Sequence, residues 1–209
     1  LQARNETRGV YIDSTGRITR TWNDSYAGVN VNTETALSVP AIWRATTMIS
    51  DIVGMLPIHA YRNDQRLEPN ARILEKPDPF ETRVSTYAAM AASLILHGNY
   101  VAILGEPGPT GYPDSFYPVN PERVTILKVA GVPIYRIMRE EQDGSTSTRD
   151  YTAAEILHIP YFKLPGEVAG VGIVGAQRQG IGAAVAVLEY AARYFDGGAM
   201  PSYLIKSEN

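Results

Sequence analysis

The strongest constraint on the fold lies near the C-terminal end, where residues 173–195, IVGAQRQGIGAAVAVLEYAARYF, keep a helical period with no proline to break it. At 1.5 Å per residue a helix of about 23 residues is on the order of 35 Å long, well above the globular mean. Projected as a helix, Gly180, Ala183, Ala184, Val187 and Ala191, with Ala176, fall on one stripe of small side chains. Ile181, Val185, Leu188, Ala192 and Phe195 form a bulkier apolar stripe beside it, while Glu189 and Arg193, four apart in the favourable order, mark a solvated face. Such a helix either buries the bulky stripe on its own sheet and offers the small one to a closely approaching helix, or lies sandwiched within one domain.

The chain before it alternates irregularly between helix and strand. Residues 1–32 are rich in Asn, Thr, Ser and Gly and read as an arm or irregular edge segment, with a hairpin around Ser14–Gly16. Ser38 ahead of Pro40 starts a helix whose apolar residues Ile42, Ala45, Ile49, Ile52 and Val53 recur at three and four until Gly54. PIHAYR (57–62) follows as a strand. A second helix begins at Thr82 or Ser85 and stops at His97-Gly98, and NYVAILGE (99–106) is the next strand. SFYPV, RVTILKV and PIYRIMRE are strand-like, with turns at Gly131 and Asp143-Gly144, and YTAAEILHIPYF adds a turn and a further strand. The order predicts an α+β fold of mixed helices and mainly antiparallel sheet, ending in the long helix.

Motifs of chemistry are few. Gly170, Gly172 and Gly175 match GxGxxG and open a helix, but the preceding strand ends about ten residues too early for a dinucleotide unit. No second βα unit follows either, and a flexible loop meeting a close-packed helix is the reading that fits. His59, His97 and His158 lie far apart without paired carboxylates, so no metal site is expected. His97 suits a cation at a helix C-terminus, and the other two read as satisfied strand residues. No nucleophile elbow, HExxH or phosphate loop is present, and the 13 tyrosines are dispersed without the interleaved cations of a single-strand binding platform. No catalytic residue and no cofactor is expected.

Charge and composition narrow the partners. With 19 basic and 22 acidic residues the net charge is −3, the wrong sign for tight binding to DNA phosphates. The absence of cysteine excludes disulfides and thiolate chemistry. The stretch from Gly180 to Leu188, bounded by Gln179 and Glu189, is too short to span a membrane, so no membrane partner is expected. A start at Leu and a stop at LIKSEN, just inside a new strand, read as a piece of a longer chain.

Five stretches in order, SVPAIWRATTMISDIVGMLPIHAYR, KPDPFETRVSTYAAMAASLILHGNYVAIL, YPVNPERVTI, EILHIPYF and GIGAAVAVLEYAARYFDGGAMPSYL, together resemble the portal proteins of long-tailed phages with Hong Kong 97-like heads. The pairings of HGN with a strand, of NPERV with a strand and of EYAARYF with GAMP are the most specific. The resemblance implies a structural subunit of a twelve-fold ring at one capsid vertex of the virion, made in the host cytoplasm, through which DNA is packaged and ejected without tight binding. It implies an irregular segment at 1–32, a wing-like α+β domain at 33–172, a first stem helix at 173–196 and the start of a clip at 197–209. The implied partners are the chain itself, the terminase large subunit, and capsid and head-tail connector proteins. A generic phage adaptor is the alternative reading, and a nicotinamide-dependent oxidoreductase a remote one.

Overall fold

Helix α4 (Arg83–His97) organises the molecule because the chain leaves it straight into the central strand. Thr82 caps its start by accepting from the Ser85 N–H at 3.2 Å, and Gly98, at φ +74°, ends it in the left-handed conformation that glycine takes without strain. The computed structural model describes residues 11–12, 18–19, 25–108, 111–129, 131–140 and 145–198. Strand β5 (Asn99–Leu104) follows at once, between β10 (Ile156–Pro160) and β6 (Phe116–Val119), with every neighbour antiparallel.

The two-residue period of β5 gives it two apolar faces. Tyr100, Ala102 and Leu104 pack with Phe116 against Met90 and Leu94 of α4 and Ile73 of α3 (Arg72–Glu75). Val101 and Ile103 face the opposite way, onto a second sheet of β7 (Val124–Val129), β8 (Val132–Glu140) and β9 (Thr146–Thr152). There they meet Tyr135, Ile137 and Tyr151, so the order of layers is helix, sheet, sheet. Opposite each other on β8 and β9, Arg136 donates twice to the Asp150 carboxylate at 2.7 Å and helps set the register. The α+β class and antiparallel pairing expected from the sequence are present. Strand β9, TSTRDYT, is polar enough to have escaped the pattern. The Asp143-Gly144 turn lies outside the described residues, as do residues 14–16, although the flanking strands β1 (Tyr11–Ile12) and β2 (Ile18–Thr19) pair antiparallel.

Several local expectations are corrected. Ser38 does not cap the helix after it: it closes a short α1 (Thr33–Leu37), its hydroxyl donating to the Thr35 carbonyl, while Asn32 and Thr35 form the capping box of that helix. α2 (Pro40–Met55) starts on Val39 with no side-chain cap. The expected apolar stripe divides. Thr46, Ser50 and Gly54 are the buried face, Ile42 and Val53 are half-buried, with Ile42 against the core, and Ala45, Ile49 and Ile52 are exposed. Small side chains let α2 and α4 approach until a Cβ on Gly54 would sit 2.7 Å from the Val84 carbonyl oxygen. Of PIHAYR only Tyr61–Arg62 forms strand, a two-residue β3 paired with β4 (Gln65–Arg66), because Ile58 and Ala60 instead bond the Asn70 side chain.

A third cluster joins the helices. Val31, Ala36, Leu96, Val174, Ile181 and Val185 bury together, drawing residue 31 of the expected irregular segment into the core. The expected single helix over 173–195 is two: α5 (Ile173–Ala176) and α6 (Arg178–Asp196), separated by Gln177 at φ −107° and ψ 19°. Its nineteen residues still make α6 the longest helix described.

Candidate functional site: the C-terminal helix and its groove

Helix α6 is anchored at one end only. Ile181, Gly182 and Val185 are buried, and beyond Val185 no residue of the helix is. At 1.5 Å per residue, roughly 16 Å of helix carries no buried side chain. The bulky stripe therefore divides: Ile181 and Val185 are core, whereas Leu188 is 44% and Phe195 71% exposed. The expectation of one continuous buried stripe fails because the protein body ends before the helix does.

The predicted small stripe faces outward. Gly180, Ala183 and Val187 are exposed, and Ala184 and Ala191 half-buried. Ala183, Ala184 and Val187, with Leu188, form one wall of an apolar groove of about 540 Å³, and Val39, Pro40 and Ala41 at the start of α2 form the other. Gly180 and Ala191 are not among its lining residues. The glycine of close approach is Gly182, where a Cβ would overlap the Ser25 side chain. Neither Gly182 nor the α2 wall was picked out from the sequence, since both depend on contacts across about 140 to 160 residues of chain.

The loop that feeds α6 is fixed by three glycines and one asparagine. A Cβ on Gly98, Gly170 or Gly172 would collide with backbone: Gly98 against Val171 and Gly172, Gly170 against the Gly98 carbonyl, Gly172 against Leu96 and His97. Close backbone packing thus accounts for Gly170 and Gly172 of the GxGxxG match, and Gly175 faces open space. Asn99 clamps this junction. Its amide donates to the carbonyls of His97 at 3.1 Å and Gly170 at 2.9 Å, and its oxygen accepts from the Gly170 N–H at 2.7 Å. The same oxygen lies 3.1 Å from His158 Nε2, and His158 Nδ1 lies 3.1 Å from the Tyr135 hydroxyl. An oxygen that can only accept assigns the proton to Nε2, which leaves Nδ1 to accept from Tyr135.

Burial holds His158 below its ordinary pKa, with Lys163 adding to the shift, so the neutral imidazole this chain of bonds requires is the stable form. Burial also lowers His97, against the opposing pull of Glu122 at 3.7 Å. Desolvation thus works against the charged form expected at this helix end, while Glu122 favours it. Glu122 sits on the 3-10 turn Pro121–Arg123, capped by Asn120, and accepts from the Thr33 hydroxyl at 2.7 Å, so it ties α1 to the end of α4. His59 precedes β3 instead of lying within it, and among the described residues its buried Nδ1 has no hydrogen-bond partner, so it is not the satisfied strand residue expected. Among the described residues no cluster of three or more His, Asp or Glu has metal-binding geometry, and no helix is long and apolar enough to cross a membrane.

The family described as phage portal protein matches residues 40–209. The probable portal protein of Streptomyces phage phiC31 is 26% identical over 194 residues, which cover 86% of this chain and 41% of that protein. The portal protein of Enterobacteria phage HK97 is 24% identical over 187 residues, 85% of this chain and 42% of the relative. The chain therefore spans less than half the length of these curated relatives. Among solved structures, the virion of a native gene transfer agent particle aligns with a TM-score of 0.65 at 21% identity, covering 81% of this chain and 45% of the other. The neck of the native particle with C12 symmetry aligns at 0.64 and 20%, over 81% and 45% of the two chains. An HK97 family portal protein from Corynebacterium diphtheriae aligns at 0.55 and 17%, over 79% and 50%. At these identities the structures establish a shared fold.

Proposed function

The chain belongs to the phage portal protein family, and from that premise we propose that it forms the wing and first stem helix of one subunit of a portal ring at the capsid vertex. The observation that carries the reading is helix α6, which has no buried residue after Val185 and leaves Val187, Tyr190 and Phe195 largely exposed. A helix in that state is stable in water only at the cost of exposed apolar surface, and a neighbouring helix removes the cost. The stripe Gly180, Ala183, Ala184, Val187 and Ala191 supplies the low profile that close helix contact needs. Residues 33–172 are the wing, 173–196 the stem, and 197–209 the entry to the clip.

The C12 symmetry of the matched neck supports twelve subunits. In such a ring the role is structural: DNA passes through, and the terminase large subunit and the capsid and connector proteins dock outside it. The net charge of −3 favours passage over retention, because each phosphate neutralised by a cation adds affinity. The subunit is made in the host cytoplasm and resides in the virion. Negative-stain imaging of the intact gene product tests the reading. Closed rings of twelve-fold symmetry are expected, and an intact product that stays monomeric at high concentration would refute it.

A further inference from the structure

Two apolar helical faces are bare. On α2, the face opposite Thr46, Ser50 and Gly54 presents Ala45, Met48, Ile49, Ile52, Met55 and Leu56, with no charged residue among them. The five large side chains are each 45–64% exposed. At on the order of 100 Å² apiece they make a strip of about 500 Å², near the upper size for a patch on a monomeric protein. On α6, Val187, Leu188, Tyr190, Ala191, Tyr194 and Phe195 share one side of the helix, away from the Glu189–Arg193 pair, and present a similar area. Aromatic side chains of this kind are the usual anchors of protein interfaces.

We propose that the α2 strip is the seat for a second copy of this chain, which contributes the α6 face, so that copies join head to tail. The inference rests on the portal-ring reading, in which neighbours are related by rotation. A contact of one face with itself closes a dimer; successive rotation instead requires two different faces on every subunit, and these two helices carry them. Joined, the strips remove about 1,000 Å² from water, the lower bound for a specific interface. The start of α2 already shares an apolar groove with α6 within one chain, through Val39, Pro40, Ala41, Ala183, Ala184, Val187 and Leu188. Among the described residues the lining of that groove on α2 stops at Ala41, and in the proposed contact the second copy's α6 covers the strip beyond it.

The chain contains no cysteine, so introduced thiols report without background. Ile52→Cys and Tyr194→Cys, both at exposed positions, are made separately in the 209-residue chain and in the intact gene product, checked for unchanged melting, mixed and oxidised. A disulfide-linked dimer is expected in the mixture and not in either variant alone. A dimer from Ile52→Cys alone would mean a self-complementary face, and no cross-link up to millimolar concentration would mean no contact; either overturns the proposal. So does a thiol at position 52 that resists maleimide in the isolated monomer, because the chain's own residues then cover the strip. Closed rings in which position 52 remains open to maleimide would overturn the proposal and leave the ring reading intact.

Discussion

Removing the Asn99 side chain should loosen the junction that sets α6. Asn99→Ala takes partners from the Gly170 N–H, the carbonyls of Gly170 and His97, and His158 Nε2. Each buried polar group left unpaired costs roughly 1–3 kcal/mol, but Asn99 is half-buried and water replaces part of the loss, so about 3 kcal/mol in total is expected. For a chain of this length that is a fall in Tm of roughly 6–12 °C by calorimetry or circular dichroism. Asn99→Asp is the informative companion. It keeps the acceptor toward Gly170 and His158, loses both donors, and sets a carboxylate against His158 Nε2, which raises the imidazole pKa above its present depressed position. A raised histidine pKa contributes stability below the unfolded value near 6.5 and loses it as pH rises through the folded value. The deficit of Asn99→Asp relative to the parent should therefore shrink from pH 8 to pH 6. An Asn99→Ala variant within about 1 kcal/mol of the parent, or an Asp variant with a deficit independent of pH, would refute the clamp.

Four further outcomes follow from the same geometry. Ala184→Leu should leave the 209-residue chain folded and impair ring assembly of the intact product, since the side chain lines an open groove. Leu188→Ala, at a position 44% exposed, should cost under about 1 kcal/mol, whereas Val185→Ala, at 7%, should cost roughly 2; thermal melts of both variants check this ordering. Thermal stability of the parent should be complete above the ordinary histidine pKa of about 6.5 and decline as pH falls through the lower folded values of His158 and His97, and a melt series with His158→Gln should show a shallower decline. Gly54→Ala should lower Tm: the gain in helix propensity is about 1 kcal/mol, but a Cβ 2.7 Å from the Val84 carbonyl oxygen and 3.1 Å from the Ala88 Cβ carries an overpacking cost of about 1–3 kcal/mol. A rise in Tm would show that the helices can part without loss.

Signals local in sequence were legible. Thr82 and Gly98 set the ends of one helix, and the alternation of NYVAILGE set the start of one strand, which stops at Leu104 instead of the expected 106, because caps and a two-residue period act over a few residues. The specific pairings behind the family resemblance also acquire reasons in the structure. HGN is a helix end, a left-handed glycine and the four-bonded Asn99; in NPERV, Asn120 caps the turn whose Glu122 reaches Thr33 and His97. The outward small stripe on the C-terminal helix was readable as a pattern. Its groove was not, since three of the seven lining residues are Val39, Pro40 and Ala41.

What the sequence determined by itself is therefore most of the longer elements, their α+β class and the family, since propensity, capping and turn chemistry are properties of neighbouring residues. Which face of each helix is buried was decided by tertiary structure alone. On α2 the apolar residues recur at helical spacing, yet Thr46, Ser50 and Gly54 go inside, because close approach to α4 demands small side chains there and leaves Ile49 and Ile52 bare. On α6 the apolar pattern outruns the body it packs against, and Leu188 and Phe195 stay in water although they lie on the same stripe as Ile181 and Val185. Periodicity records that a surface is apolar; what covers that surface depends on elements that only folding, or a second chain, brings alongside.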